Sequence, residues 1–302
     1  MVSTTERRVV TLEHTVRRDD PPQALRCISR YTDLSHERLK DAMRKGALWL
    51  TRRGRKPHRL RRVTAELKPG DRLALYYDSA VLAAAPELPV LLQDWRRYSA
   101  WYKPEGLLVE GSRYGDHAAL ERLVELHFGN KRPVYLVHRL DREAAGVMVV
   151  AHTPQAAARL SALFRERDVE KVYEVEVRGD LRNRGKHGAI DVPLDGKPSH
   201  TDFEVIAYDA ARGVTKARVR MQTGRYHQIR RHFAHIGYPV MGDPKYGTGN
   251  ADPRGMQLVA TLLGFTDPWT GERVTVHAEG TGIVAATAIS PRPRMRKGQL
   301  SS

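Results

Sequence analysis

Strict alternation of apolar and polar residues recurs along the chain and predicts a fold rich in sheet. In Lys171 to Gly179, KVYEVEVRG, the residues Tyr173, Val175 and Val177 fall on one face while Val172, Glu174, Glu176 and Arg178 fall on the other. A period of two belongs to a half-buried strand, so Tyr173 is predicted to point inward. Strands are likewise predicted at Thr201–Tyr208 and Val214–Gln222, joined by a turn at Asp209–Gly213. Nearer the amino terminus they are predicted at Arg8–Thr15 and at Arg72–Tyr77, the latter entered through the turn Lys68-Pro69-Gly70-Asp71. Two apolar runs, Tyr135–Val137 and Val147–Val150, enclose a polar turn that this pattern places at a sheet edge.

Helical spacing predicts four helices. Ser35 or His36 starts the first, over Glu37–Lys45, with Gly46 just past its end. Leu120, Leu123, Val124 and His127 mark a second over His117–Phe128. Thr153 as N-cap and Pro154 at the first position open a third, ending near Arg167, with Leu160, Leu163 and Phe164 as its buried stripe. The fourth is predicted to open at Thr223-Gly224-Arg225 and to run to Ile236, capped by Gly237. It would bury Ile229, Phe233 and Ile236 and leave Arg230 beside them at the border. A Thr-Gly helix start leaves backbone N–H groups free, which suits a phosphate.

At 302 residues and 41% hydrophobic content the chain has the length for about two domains and enough apolar surface for packed cores. The most apolar stretch, Ala80 to Leu92, is interrupted by Pro86, Glu87 and Pro89 and reads as a linker. No run of about 18 apolar residues is present, so no membrane span is expected. The opening MVSTTERRVV lacks the apolar core of a secretion signal. Lys and Arg number 51 against 35 Asp and Glu, a net charge of +16, which calls for a polyanionic partner. Nucleic acid comes first, and an anionic membrane surface second. Cys27, the lone cysteine, excludes an internal disulfide and a cysteine-based metal site. A cytoplasmic location is the default that follows. Ser290–Ser302 is basic and Pro-containing, and is predicted to be disordered.

Candidate chemistry concentrates in Val137–Ala151, VHRLDREAAGVMVVA. Asp141 stands two residues after Arg139, three after His138 and next to Arg142. A carboxylate set among cations is held as the anion, the state required of a nucleophile or base. The same residues also fit an ordinary surface ion pair, worth roughly 0 to 1 kcal/mol, and this segment alone leaves both readings open. His227, His232 and His235 lack the i, i+4 spacing of a helical zinc pair, so no metal site is expected there.

Three motifs in order, spread over roughly residues 95 to 280, resemble the RluA family of RNA pseudouridine synthases. They are K-P-x-G at Lys103, Pro104 and Gly106, then H-R-L-D-R followed by a Gly, then T-G-R-Y-H-Q-I-R-R-H at Thr223–His232. The resemblance implies an α+β fold with a mixed, mainly antiparallel central sheet, flanking helices and a cleft across the sheet face. It implies Asp141 as the catalytic carboxylate, Arg230 in an ion pair with it, Tyr173 against the target base and Arg139 filling the space left by a flipped uridine. His138, Leu140, Lys103, Thr223, Gly224, Arg225, His227 and Ile229 would surround the substrate. The reaction moves uracil from its N1 to its C5 linkage without redox or hydrolysis, so no cofactor is implied. Upstream, L-S-H-E-R-L-K, R-K-G-A-L and L-K-P-G-D resemble the αL RNA-binding module first known from a small-subunit ribosomal protein. There Arg38, Lys40, Arg44, Lys45, Arg52, Arg53 and Arg55 would meet phosphates; a merely solvated basic face is the alternative.

The expected organisation is an αL-type module over 1–84, a linker over 85–94, a catalytic domain over 95–289 and a basic tail over 290–302, acting as a monomer on rRNA, large-subunit rRNA first, or on tRNA. The chain departs from the family pattern in three places. Ala144-Ala145 stands for Thr-Ser before Gly146, Val259 for His in Leu-His-Ala, and Tyr226 for a smaller residue in T-G-R-x-H. The first departure keeps a second reading open: a non-catalytic RNA-binding or ribosome-assembly factor that retains the synthase fold. A hydrolase using Asp141 as nucleophile is disfavoured by the want of a second carboxylate.

Overall fold

The computed structural model describes residues 7–278. The amino-terminal unit comprises β1 (Val9–Thr15), α1 (Ala24–Ile28), α2 (His36–Arg44), β2 (Leu48–Thr51), β3 (His58–Arg59), β4 (Arg72–Asp78) and α3 (Ser79–Ala83). Its sheet runs β1-β4-β2-β3, all antiparallel. Ser35 caps α2 by accepting from Arg38 N, and Leu39, Ala42 and Met43 on the inner face of α2 bury against Leu48, Leu50, Leu73 and Leu75 of the sheet. The expected helix and both expected strands are present, within two residues at their ends. Arg38, Lys40, Arg44, Arg53 and Arg55 are exposed. Lys45 and Arg52 are less free than expected. Lys45 Nζ is spent on Asp41 at 2.9 Å and on Leu82 O at 2.8 Å, while Arg52 donates to Glu66 O.

The second unit is a ten-stranded sheet. In chain order its elements are β5 (Val90–Asp94), β6 (Tyr98–Lys103), α4 (Leu120–His127), β7 (Tyr135–Leu136), β8 (Ala145–Ala151), α5 (Pro154–Glu166) and β9 (Val169–Arg178). β10 (His187–Ile190), β11 (Thr201–Asp209), β12 (Val214–Met221), α6 (Gln228–His235), β13 (Leu258–Thr266) and β14 (Arg273–His277) follow. The strand order is β10-β11-β12-β9-β13-β8-β6-β5, with β14 on β13 and β7 on β8. Only β13 and β8 pair in parallel, so the sheet is mixed and mainly antiparallel, as expected. β8 reads alternately onto two cores. Met148 and Val150 face α4 and α6, whereas Val147, Val149 and Ala151 face α5. Tyr173, Val175 and Val177 join the first of these cores, the inward face their alternation predicted.

Four expectations need correction. Residues 85–94 are not linker throughout, because Val90–Asp94 is an edge strand antiparallel to β6. The turn carrying Asp141 lies inside the sheet and not at its edge, since β13 inserts beside β8. The second helix starts at Leu120 and leaves His127 exposed. The fourth starts only at Gln228, so Thr223–Arg225 is loop and offers no helix-start phosphate site. Ser290–Ser302 lies outside the described residues.

The two units are clamped together. Arg59 and Arg61 both pair with Asp116, Trp49 Nε1 donates to Arg113 O at 3.0 Å, and Asp116 N donates to Lys45 O at 3.1 Å.

The parallel contact that carries β8 past β13 requires a glycine. Gly146 has φ +123°, and a Cβ there would lie 2.3 Å from Ala260 O and 2.5 Å from Ala260 N. The obstacle is backbone and cannot swing aside. Gly146→Ala is therefore expected to cost about 3 kcal/mol, read as a lowered urea midpoint; an unchanged midpoint would refute this packing.

Candidate active site

A cavity of about 970 Å³ opens between the loop joining β7 and β8, the end of α5, the start of β9 and the loop leading into α6, with Leu108–Glu110 and Pro244–Lys245 completing its wall. Asp141 sits in the first. Its loop is tied down by backbone and by one buried lysine: Gly106 N donates to Arg142 O at 2.8 Å, Ala144 N to Asp141 O at 3.2 Å, and Lys103 Nζ to the carbonyls of Leu107, Pro104 and Arg142. Ala144 is buried in the core, so the turn closes without the two hydroxyls it lacks.

Arg230 is 1% exposed and holds the centre of the site. Its Nε and Nη2 grip Asp243 bidentately at 2.8 Å each, and Nη1 reaches Asp141 Oδ2 at 3.0 Å. Two parallel bonds to one carboxylate fix the plane of the guanidinium, and that plane aims Nη1 at Asp141. Burial opposes the arginine charge, but hydrogen bonds and attraction from Asp243 and Asp141 overcome it and hold its pKa above the ordinary value. Asp243 is buried as well. Burial alone would raise its pKa, yet Arg230 and the backbone N–H groups of Lys245 and Tyr246 bring it below the usual carboxylate range.

His227 completes the group. Nε2 lies 3.3 Å from Arg230 Nη1 and 3.6 Å from Asp141 Oδ1, and Nδ1 lies 3.2 Å from Tyr246 Oη. Burial, ahead of the opposing pull of Asp141, lowers its pKa and so favours the neutral imidazole. Arg230 can only donate; Nε2 therefore accepts, and the ring proton sits on Nδ1 toward Tyr246.

Tyr173 faces the cavity near Asp141, its phenol kept protonated by burial and by the carboxylate. Arg139 is exposed at the rim and makes no hydrogen bond or ion pair among the described residues. Gly224 and Arg225 line the wall, Arg225 donating to Pro198 O. Leu140 and Ile229 line it too, but both belong mainly to the core.

Of three further residues expected at the substrate, His138 and Thr223 line the cavity while also bracing the scaffold, and Lys103 does not reach it. Lys103 is fully buried and away from the cavity wall, with its ammonium on three carbonyls; burial pushes its pKa down to about 8. His138 stacks on Phe164 and accepts from Val149 N at 2.9 Å, and burial pushes its pKa down to about 3. Thr223 is buried and donates to Gln228 Oε1.

Two residues that pattern reading passed over prove central. Asp243 lies in a loop with no periodicity to mark it. Gln228 shapes the loop before α6 by accepting from Thr223 and Arg225 N and donating to His200 O and Thr201. A second carboxylate also stands at the site, contrary to expectation: Glu143 Oε2 is 3.5 Å from Arg230 Nη1.

The histidines of α6 do not converge, since His232 is turned to Ser199 and Val192 O. Among the described residues, His14, Asp20 and Cys27 do bring ligand atoms within 4.8 Å of one another. Asp20 is nevertheless saturated by Tyr31, Arg17 N and His14, and burial pushes the Cys27 thiol up to about 11.

Residues 97–235 match the family model described as RNA pseudouridylate synthase. The chain is 32% identical over 282 residues to an uncharacterized RNA pseudouridine synthase of Aquifex aeolicus, covering 82% of this chain and 87% of that one. It is 35% identical over 203 residues to ribosomal large subunit pseudouridine synthase D of Pseudomonas aeruginosa, covering 61% of this chain and 62% of that protein. In fold it is similar to human RNA pseudouridylate synthase domain containing 1, with a TM-score of 0.55, 24% identity, and coverage of 65% of this chain and 86% of that one.

Proposed function

The chain belongs to the RNA pseudouridine synthase family, and from that premise we propose that Asp141 is the carboxylate through which it isomerises uridine in RNA to pseudouridine. The enzyme class follows from the family: an isomerase that detaches uracil from ribose C1′ and rejoins it through C5. The observation that supports Asp141 is the ion pair with Arg230, itself locked by buried Asp243. Asp141 attacks the nucleotide or deprotonates the ribose. Either route needs an anion at a fixed position, and the Asp243–Arg230 pair supplies the fixing. Asp243 is thus a positioning residue. Tyr173 presents its ring to the uracil, and Arg139, free at the rim, enters the stack in place of the flipped base, whose extrusion costs a few kcal/mol.

The target we infer is large-subunit rRNA, in keeping with the activity for which the Pseudomonas relative is named. We infer that the chain acts on it as a monomer in the cytoplasm. No helix among the described residues is long and apolar enough to cross a membrane. The test is tritium release from uridine-5-labelled RNA pools. Release from large-subunit rRNA is expected, and release confined to tRNA would overturn the target assignment.

The amino-terminal unit supplies sequence-blind affinity through Arg38, Lys40, Arg53 and Arg55. Changing all four to Gln is expected to weaken RNA binding and to flatten the log K against log salt slope by about 3, at roughly 0.7 to 0.9 for each phosphate no longer neutralised. An unchanged slope would assign these cations to solvent.

A further inference from the structure

Tyr226 is a large aromatic side chain that the fold leaves in water. It is 63% exposed, an uncommon position for so much apolar ring surface unless something covers it. Its location is more telling than its exposure. The ring lies parallel to the imidazole of His227, centroids 3.7 Å apart and planes 21° from each other. His227 in turn reaches Asp141 and Arg230. The left-handed backbone of His227, φ +53°, folds these two neighbouring side chains face to face. Tyr246 meets His227 edge-on and holds it in place. One face of Tyr226 is therefore taken, and most of the remaining ring surface is exposed where the residue lines the cavity. Lys245 Nζ lies over the tyrosine ring, 5.5 Å from its centre, on a flexible stem that can swing toward a phosphate.

We propose that the open face of Tyr226 is a stacking subsite for an unpaired RNA base flanking the target uridine, with Lys245 taking the phosphate of that nucleotide. This rests on the reading of the cavity as the uridine site. A uridine drawn into the cavity leaves its neighbour without a stacking partner, and Tyr226 provides one about 4 Å above the residue that touches the carboxylate, at ordinary stacking distance. Every base has a π-face, so the subsite reads whether the neighbour is unpaired and not which base it is. The substrate class is thereby narrowed to uridines in loops or bulges with a free neighbour.

The experiment uses the full chain and a fluorescein-labelled RNA hairpin with a single uridine in a seven-nucleotide loop. Two further hairpins carry an abasic residue immediately 5′ or 3′ of that uridine. Wild type is expected to lose about ten-fold in affinity on one of the abasic hairpins. Tyr226→Ala is expected to bind the intact hairpin about ten-fold more weakly and to be indifferent to that abasic change. Tyr226→Phe keeps the ring and should follow wild type, which separates stacking from a disturbed loop. The proposal is overturned if Tyr226→Ala binds the intact hairpin like wild type, or if its loss is as large on both abasic hairpins as on the intact one. Tritium release by wild type is measured in parallel. Its failure would strike the catalytic reading, whereas the abasic comparison judges the stacking subsite by itself.

Discussion

Arg230→Met is expected to lose about 3 to 5 kcal/mol of stability and all detectable turnover. The side chain it replaces is buried and answers two carboxylates at once, Asp243 through two bonds and Asp141 through a third. Methionine fills much of the volume but leaves Asp243 as a buried charge with only backbone partners. The cost is that of an uncompensated ion and not of a broken surface pair, since the side chains of Arg230 and Asp243 are 2% and 0% exposed. pH gives the deficit a signature. In wild type the Asp243 pKa is depressed from 3.8. Its stabilisation is therefore complete above that value and is lost as pH falls through the lower, folded-state one. Without Arg230, burial raises the same pKa, and the variant gains stability as Asp243 takes up a proton. The gap between the two proteins should narrow on acidification from neutrality. Urea midpoints across that range check it; a deficit that is constant or widens would mean that Asp243 is not the group left unpaired. Arg230→Lys should recover little, because a single ammonium cannot hold Asp243 bidentately and reach Asp141 as well.

Much of this site was legible in the chain because its motifs carry their own geometry. Tyr173 follows from strand alternation, and the Asp141–Arg230 pair from two motifs that the family resemblance sets face to face. What escaped depends on partners distant in sequence. Asp243 has no periodic context, and its role exists only because Arg230 points at it across the start of a loop. Lys103 reads as a cation for substrate until the chain closes around it; two of its carbonyl partners, Pro104 and Leu107, flank the adjacent turn, and the third, Arg142, comes from the distant Asp141 loop. Thr223-Gly224-Arg225 has the composition of a helix start, but Gln228 captures Thr223 and Arg225 N and keeps the segment a loop.

The sheet shows the same division. Strands with clean alternation, such as β9, β11 and β12, were predicted close to their true ends. β5 was hidden in a proline-broken apolar stretch. β10 and β14 are short, four and five residues, and partly exposed. β13 passed unseen although it lies at the centre, and its position beside β8 is what moves Asp141 from a sheet edge to the interior.

The most direct test of the account sets wild type beside Asp141→Asn in tritium release from RNA labelled at uridine C5, with RNA affinity measured on both proteins. Asparagine keeps the shape of the side chain and removes its charge, so Arg230 stays paired with Asp243 and the fold persists. Release by wild type, none above background from Asp141→Asn, and near-equal affinities are the expected result. Release at the wild-type rate from Asp141→Asn would contradict the assignment of the carboxylate.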